Sequence, residues 1–386
     1  MKKILSLLLT LAAVVMLFTG CGKADSAAQD TVTERDASGD YDASGAVTLT
    51  SSDDLTITEA GTYILSGKYE DQTIIVEVGK EDKVQLVLQN AELTNADGPA
   101  ILIRSADKVF LTAADGTENT ISDGTGYTLT EGDAEVDAAV FSKEDLTING
   151  AGKLTISGNY KHAVVSKDEL VVTAKALTLT AVETALSGKE AVAVEDAVIS
   201  AATGNDGINT EGTATIRSGS LTFQCGDDGI HADDTAVIEG GTLDITAAEG
   251  IEATHVRISG GEITISASDD GVNAAQKSDT GTPSVEISGG TLTITMGAGD
   301  TDGIDSNGDV TITGGTISIT GSSAFDYDGS ASFTGGTVYV NGQQVTTLTT
   351  QMMGGPGGMQ GGPGGFEGDQ GGFGGPGGRM EPPGGH

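Results

Sequence analysis

The sequence predicts an all-β protein: a parallel β-helix, which is a solenoid that adds one coil per repeat. An acidic residue, a glycine and an aliphatic residue recur at Asp206, Asp228, Glu249, Asp270 and Asp302, each time followed by a β-patterned run. The glycines after the first four are 22, 21 and 21 residues apart, and a period of ~20–29 residues is typical of solenoids. The runs alternate Val, Ile, Leu and Thr, as strands do. No long segment has apolar residues at helical spacing.

The solenoid is predicted to occupy residues 46–350 without interruption. A second family of repeats precedes the acidic ones, with copies at Ala100, Ala139, Ala163 and Ala185. Each copy opens with a small and an apolar residue, continues with a polar turn and ends in a strand-like run. Because its spacing joins that of the acidic repeats smoothly, we expect one domain of roughly a dozen coils.

The N-terminus predicts export and lipid anchoring. Lys2 and Lys3 precede an apolar segment, and Thr19-Gly20-Cys21 resembles a bacterial lipobox. The apolar segment is too short to favour a membrane-spanning helix. We therefore expect residues 1–20 to be a signal peptide and Cys21 to carry the lipid at the outer face of the bacterial cell membrane. Cleavage nearby without lipidation is the alternative.

Composition predicts unstructured segments on both sides of the solenoid. Residues 21–45 are small and polar and predict a flexible spacer. Residues 351–386 are so rich in Gly and Pro that they predict a disordered tail. Two insertions, one from Thr125 and one between Ala274 and Ser284, are expected to project from the coils as loops. Insertions into solenoids often lie on a functional face.

The charge of the chain restricts its partners. The net charge is −37, which excludes nucleic acid and direct binding to an anionic membrane, and leaves the lipid as the only membrane contact. Between Gly204 and Thr350 there are 21 acidic residues and only Arg217, Arg257 and Lys277 as basic ones. A surface so poorly balanced by Lys and Arg favours binding of cations.

The repeats also predict which residues stack on one another. The aliphatic residues after the glycines form one inward ladder: Ile208, Ile230, Ile251, Val272, Ile304 and Phe325. The residues that follow them point outward: Asn209, His231, Glu252, Asn273, Asp305 and Asp326. Equivalent positions of adjacent coils lie ~4.8 Å apart, so the acidic turns form a column as well.

Stacked carboxylates destabilise a sheet unless something offsets them, and calcium, which takes six to eight oxygen ligands, is the predicted cofactor. The candidate ligands are Asp206, Asp227, Asp228, Glu249, Asp269, Asp270, Asp300, Asp302, Asp305, Asp326 and Asp328. The alternative is that Asp-Gly is ordinary turn chemistry and the carboxylates are solvated. Zinc is not predicted, because the histidines lack ligand spacing, and His231 is interpreted as a surface residue.

Several longer motifs carry a resemblance to a known family. The segment YILSGKYEDQTIIVEVGKEDKVQLVLQNAELTNADGPAILIRSADKVFLT, then AVFSKEDLTINGAGKLTISGNY, DGIDSNGDVTITGG and FDYDGSASFTGG occur in the family's order. The chain resembles, over about residues 45–345, the bacterial carbohydrate-binding domain family typified by a clostridial polygalacturonate-binding protein. Where the family usually has further acidic turns, this chain reads KHAVVSK and ETALSGK, so we expect the acidic column to begin at Asp206.

The resemblance implies a right-handed parallel β-helix that carries calcium and binds acidic plant polysaccharide rather than cleaving it. The sequence thus predicts a non-enzymatic, monomeric cell-surface lipoprotein that binds a galacturonan-like polysaccharide through calcium. One alternative is a calcium-dependent polysaccharide lyase, for which Lys277 or Lys189 is the candidate base and substrate contact. The other is an adhesin-like structural protein that calcium only stiffens.

Overall fold

The protein is a parallel β-solenoid of about 12 turns with almost no helix, which confirms the predicted fold class. It is described here by a computed structural model that covers residues 32–53, 55–299 and 301–350. The predicted signal peptide, Cys21, Asp300 and the glycine-rich tail lie outside these described residues. No helix within the described ranges is long and apolar enough to cross a membrane.

Each coil passes three sheets in the order sheet 1, sheet 2, sheet 3, and each strand pairs in parallel with its equivalent in the next coil. Sheet 1 contains Thr56–Ile57, Ile74–Glu77, Ile101–Ser105, Ala138–Ser142, His162–Ser166, Leu186–Gly188, Ile208–Thr210, Val272–Ala274, Asp302–Ser306 and Ser323–Phe325. Sheet 2 contains Val47–Leu49, Lys108–Ala113, Asp145–Gly150, Glu169–Val172, Ala191–Val194, Thr213–Ile216, Ser284–Ile287, Asp309–Ile312 and Ala331–Phe333.

Sheet 3 contains Glu118–Ser122, Lys153–Gly158, Leu177–Ala181, Ala197–Thr203, Gly219–Gln224, Thr242–Ala247, Glu262–Ala267, Thr291–Met296, Thr316–Thr320, Thr337–Val340 and the antiparallel Gln343–Val345. Long strands continue around a corner: Gly61–Glu70 and Lys83–Thr94 belong to sheets 2 and 3, Asp228–Ile238 and Glu249–Ile258 to sheets 1 and 2. Two short helices complete the described part, Glu34–Ala37 and the 3-10 turn Glu131–Asp133.

The predicted inward ladder forms one wall of the core. Ile208 pairs with Ile230, Ile230 with Ile251, Ile251 with Val272 and Val272 with Ile304. All five side chains are fully buried. Burying an aliphatic side chain of this size contributes ~1.5–3 kcal/mol each, so this ladder fixes the register of sheet 1 and of the acidic residues beside it.

The glycines of the acidic turns are required by a close approach at the corner between sheets 3 and 1. A Cβ on Gly229 would lie 2.4 Å from Cγ2 of Ile245 and 2.6 Å from the carbonyl oxygen of Gly250. Gly250 and Gly271 meet the equivalent isoleucines in the same way. Packing therefore explains the glycine of each Asp-Gly pair, whereas the acidic residue needs a separate explanation.

The N-terminal segment differs from the prediction of a flexible spacer up to residue 45. Helix Glu34–Ala37 packs on sheet 2, where the Asp36 side chain is 1% exposed. Asp36 accepts a hydrogen bond from Oγ1 of Thr147 (2.5 Å) and forms an ion pair with Nζ of Lys108 (3.0 Å). Because these contacts are polar, the segment lacks the apolar periodicity from which its packing on sheet 2 could be predicted.

The first predicted loop also differs from expectation, because it folds over the solenoid instead of projecting. Tyr127, Leu129 and Val136 pack on the outward side chains of Phe141 and Val165 in sheet 1. These apolar residues form a small second core outside the main one. The outer face of sheet 1 is therefore covered in its N-terminal coils.

Replacing Ile251 by Ala should lower the free energy of unfolding by ~2–5 kcal/mol, because it leaves a cavity in a wall that cannot collapse. Urea unfolding followed by circular dichroism measures this change. Val198→Ala is the matched control: Val198 is 48% exposed, and its loss should change stability by less than ~0.5 kcal/mol. Equal effects of the two substitutions would contradict the assigned register.

Candidate functional site

Two columns of polar residues run along the outer face and edge of sheet 1. The turn column consists of Asp206, Asp228, Glu249, Asp270 and Asp302, whose backbones bond from coil to coil. The outer column consists of Asn209, His231, Glu252, Asn273, Asp305 and Asp326. The predicted register of both columns is confirmed, so acidic groups of adjacent coils lie one strand spacing apart, ~4.8 Å.

In the middle of the face, two basic side chains neutralise the columns. Nδ1 of His231 lies 2.8 Å from Oδ2 of Asp228 and 2.9 Å from Oε2 of Glu252. Nζ of Lys277, which comes from the second insertion, lies 2.7 Å from Oε1 of Glu252. His231 is only 17% exposed, so its interpretation as a surface histidine is wrong.

Burial and these contacts together shift the pKa values of His231, Asp228 and Glu252. Burial alone would lower the pKa of His231, but the hydrogen bonds and charges of Asp228 and Glu252 outweigh it and raise that pKa to about 10. Burial raises the pKa of Asp228 to about 6. The pKa of Glu252 is lowered, since bonds from His231 and Lys277 outweigh its burial. Asp228, His231 and Glu252 lie within 4.8 Å of one another, but protein cations already balance this cluster.

The C-terminal coils bring several acidic groups close to Asp305. Burial, together with the charges of Asp270, Asp302 and Asp326, raises the pKa of Asp305 to about 6. Among the described residues, Asp305 has no Lys or Arg within ion-pair distance. We call Asp270, Asn273, Asp302 and Asp305 the oxygen cluster.

Asn273 contributes an unsatisfied oxygen to this cluster. Its side chain is 8% exposed, and its Nδ2 donates to Oε2 of Glu249 (3.0 Å) and Oε1 of Glu252 (3.3 Å). The amide oxygen has no donor among the described residues, and Asn273 pairs with Asp305 of the next coil. A buried acceptor left without a partner costs ~1–3 kcal/mol, so this position favours a cation.

Two hydroxyl oxygens next to Asp302 are also buried without a hydrogen-bond partner in the described part of the chain. Thr301 precedes Asp302, and Ser323 pairs with it in the following coil. Together with the oxygen cluster, they form an environment of carboxylate, amide and hydroxyl oxygens from adjacent coils. Calcium prefers such ligands and tolerates their irregular geometry, so the residues present fit the predicted cofactor.

The other predicted ligands have different surroundings. Neutral groups satisfy Asp206, which accepts from Nδ2 of Asn209 (3.0 Å) and Oγ1 of Thr184 (3.2 Å). Burial, followed by the charge of Glu252, raises the pKa of Glu249 to about 8. The side chains that remain exposed at the edge of the face are Asp227, Asp269, Asp326 and Asp328.

The structure separates the two predicted lysines. Lys277 belongs to the ion pairs in the middle of the face, whereas Lys189 lines a cavity of about 80 Å³ toward its N-terminal end. Lys167 lines the same cavity. The sequence patterns did not indicate it as a candidate site residue. The segments VVSK and LSGK end in Lys167 and Lys189, one repeat apart, and comparing them would have found it.

Comparison with known proteins identifies the family. Residues 51–300 and 219–352 match the profile of the family described as "Carbohydrate-binding domain-containing protein". The chain belongs to this family. The resemblance inferred from the sequence motifs is thereby confirmed.

Two individual proteins, one known from its sequence and one from a solved structure, are similar to this chain. A carbohydrate-binding domain-containing protein of Acetivibrio thermocellus is 30% identical over 126 residues, which is 32% of this chain. The match spans 44% of that protein's length. A solved structure described as a polysaccharide lyase-like protein from C. thermocellum, a gadolinium derivative, is 22% identical with a TM-score of 0.40. The similarity covers 74% of this chain and 86% of that one.

In chelator, the stability of this carbohydrate-binding protein should fall as pH rises from about 5 to about 8. Glu249, Asp228 and Asp305 have folded pKa values above their ordinary ones. The folded state therefore binds more protons in this window, and the stability they contribute is lost as pH rises through the folded pKa values. Thermal melts across the window measure the slope.

The control for this prediction is the double variant Glu249→Gln, Asp305→Asn, which removes two of these titrations and should have a flatter profile. Wild-type stability that is constant or rises between about pH 5 and about pH 8 would contradict the prediction.

Proposed function

We propose that the outer face of sheet 1 binds an acidic polysaccharide of the galacturonan type through calcium held at the oxygen cluster. The observation that carries the proposal is the unsatisfied, buried amide oxygen of Asn273 beside Asp305, a carboxyl group without a basic partner in the described part of the chain. We further propose that the protein is an exported lipoprotein, anchored at the outer face of the cell membrane through Cys21.

The arrangement of charges limits where calcium would bind. His231 and Lys277 already neutralise Asp228 and Glu252. The residues that would hold the ion are Asp270, Asn273, Asp302 and Asp305, with Ser323 as a further oxygen in the next coil. Bound there, calcium would supply the positive charge that a sugar carboxylate needs as a partner. This proposal is narrower than the sequence prediction, which included every acidic turn from Asp206 onward.

The character of the face supports a linear acidic polymer as the ligand. The chain belongs to a carbohydrate-binding family, and its net charge of −37 opposes approach of a polyanion except where cations offset it. Aromatic residues are only 4% of the chain, so stacking on neutral sugar rings has few platforms. Parallel strands present equivalent groups in one straight row, which matches a polymer of repeating carboxylates.

The geometry favours binding over cleavage. A lyase needs a neutral base to remove a proton from the sugar. Lys277 donates to Oε1 of Glu252, and this carboxylate and its neighbours raise the pKa of Lys277 despite its burial. Lys277 therefore keeps its proton at neutral pH and serves as a fixed cation. The family description also fits a protein without enzymatic activity.

Calcium should stabilise the wild-type protein, by ~2.7 kcal/mol when its free concentration is a hundred times Kd. The double variant Asp302→Asn, Asp305→Asn should lose most of this gain, because two carboxylate ligands become neutral amides. Asp244→Asn is the matched control, since Asp244 is an exposed residue of sheet 3. Thermal melts with calcium and with chelator measure the difference.

Calorimetric titration with galacturonan oligomers should give binding heat in calcium and none or much less in chelator, with the oligomers unchanged afterwards. Accumulation of unsaturated products would assign a lyase instead. If calcium raises the melting temperature but no acidic oligomer binds, the protein has a structural role. Loss of calcium stabilisation in Asp244→Asn as well would contradict the assigned site.

A further inference from the structure

Two lysines on the outer face of sheet 1 differ from every other lysine in the described ranges. Neither Lys167 nor Lys189 has a carboxylate within 4.0 Å or a hydrogen bond from its ammonium group among the described residues. Their counterparts elsewhere in these ranges do bond acidic or carbonyl oxygens, as Lys153 does with Glu118 (2.6 Å) and Lys175 with the carbonyl of Asp196 (2.8 Å). In a chain with 56 acidic and 19 basic residues, two unpaired lysines need a reason.

The two lysines occupy the same position in consecutive coils. The backbone N–H of Lys189 donates to the carbonyl of Ser166, the residue before Lys167 (2.9 Å). Nζ of Lys167 lies 5.4 Å from the centre of the Phe141 ring, which holds the ammonium group over the face. The two lysines thus place positive charges in consecutive coils, and an anion bound near both would reduce their repulsion.

The lysines line a cavity whose other walls include polar residues and the apolar side chain of Val165. Ser187 and Asn209 contribute its floor, and both belong to the row that continues as the outer column. Glu211 lies exposed at the rim and has no ion pair with either lysine. The volume is about 80 Å³, enough for a group the size of two or three waters of ~30 Å³ each. A carboxylate fits this space, whereas a whole sugar ring does not.

We propose that Lys167 and Lys189 form a second subsite that binds a uronic acid carboxylate directly, without a metal ion. This proposal rests on the function proposed above and adds a metal-independent contact to it. The sugar ring would lie outside the cavity, on the exposed part of the face, with its carboxylate between the two ammonium groups. Charge-assisted hydrogen bonds from lysine to carboxylate are among the stronger contacts available to a carbohydrate.

The two subsites lie in one row on the same face. From Ser187 beside the lysines to Asp305 in the oxygen cluster the outer row advances by five strands, or ~24 Å at ~4.8 Å per strand. Only an oligomer long enough to cover this distance occupies both. Affinity should therefore rise steeply with oligomer length, and most of that rise should disappear when either subsite is removed.

The test titrates Lys167→Met, Lys189→Met and the double variant with a long galacturonan oligomer in calcium. The double variant should bind about tenfold to a hundredfold more weakly, as expected for lost hydrogen bonds to a charged group. Its stabilisation by calcium should remain that of wild type. Lys153→Met is the matched control, because Lys153 is exposed on sheet 3 and pairs with Glu118. Equal affinity of the double variant and the control would overturn the subsite while leaving the calcium proposal intact.

A second measurement observes the lysines themselves. In protein whose lysines carry ¹³C-methyl labels, galacturonic acid added in chelator should shift the NMR signals of Lys167 and Lys189, assigned with the single variants. Neutral galactose should not. No shift with galacturonic acid, or equal shifts with both sugars, would overturn the proposal. Shifts that persist in Asp302→Asn, Asp305→Asn, when that variant no longer responds to calcium, would show that the lysine subsite is independent of the metal.

Discussion

The fold of this protein and the arrangement of its charges depend on the stacking of equivalent residues at one strand spacing, ~4.8 Å. The aliphatic ladder that includes Ile230 and Ile251 gains from this arrangement, because each side chain packs on a similar one and all are removed from water. Charged residues lose from it, since a repeated carboxylate lies next to its own copy. A solenoid with acidic turns must therefore balance charge coil by coil.

Along sheet 1, the repulsion between stacked charged residues is reduced in different ways in successive coils. In the first coils, the outward positions hold apolar residues such as Phe141, and the loop around Tyr127 covers them. Neutral donors satisfy Asp206 in the next coils. His231 and Lys277 supply built-in cations in the middle. The oxygen cluster comes last, and there the amide oxygen of Asn273 has no donor among the described residues. The order of these solutions makes the face change from apolar to acidic along one direction.

The sequence repeat predicts the coil, the inward ladder and the register of the acidic columns. Periodicity describes what the coils share, so it cannot describe what distinguishes them. The insertion that contains Lys277 was expected to form a loop, but nothing local showed that its ammonium group would reach Glu252 one coil away. For the same reason His231 looked like a surface residue. Docking of Asp36 on sheet 2 depends on Lys108 and Thr147, which are distant in sequence and follow no repeat.

The N-terminal helix has a consequence for how the solenoid forms. Asp36 and its backbone contact Lys108, Thr147 and Thr173, which belong to three successive coils. In a solenoid each coil normally touches only its neighbours, so this contact joins early coils into a larger cooperative unit. Those coils can act as a seed on which later coils fold while the chain is synthesised from its N-terminus. The seed contains no part of the oxygen cluster, so its assembly does not depend on a cation bound there.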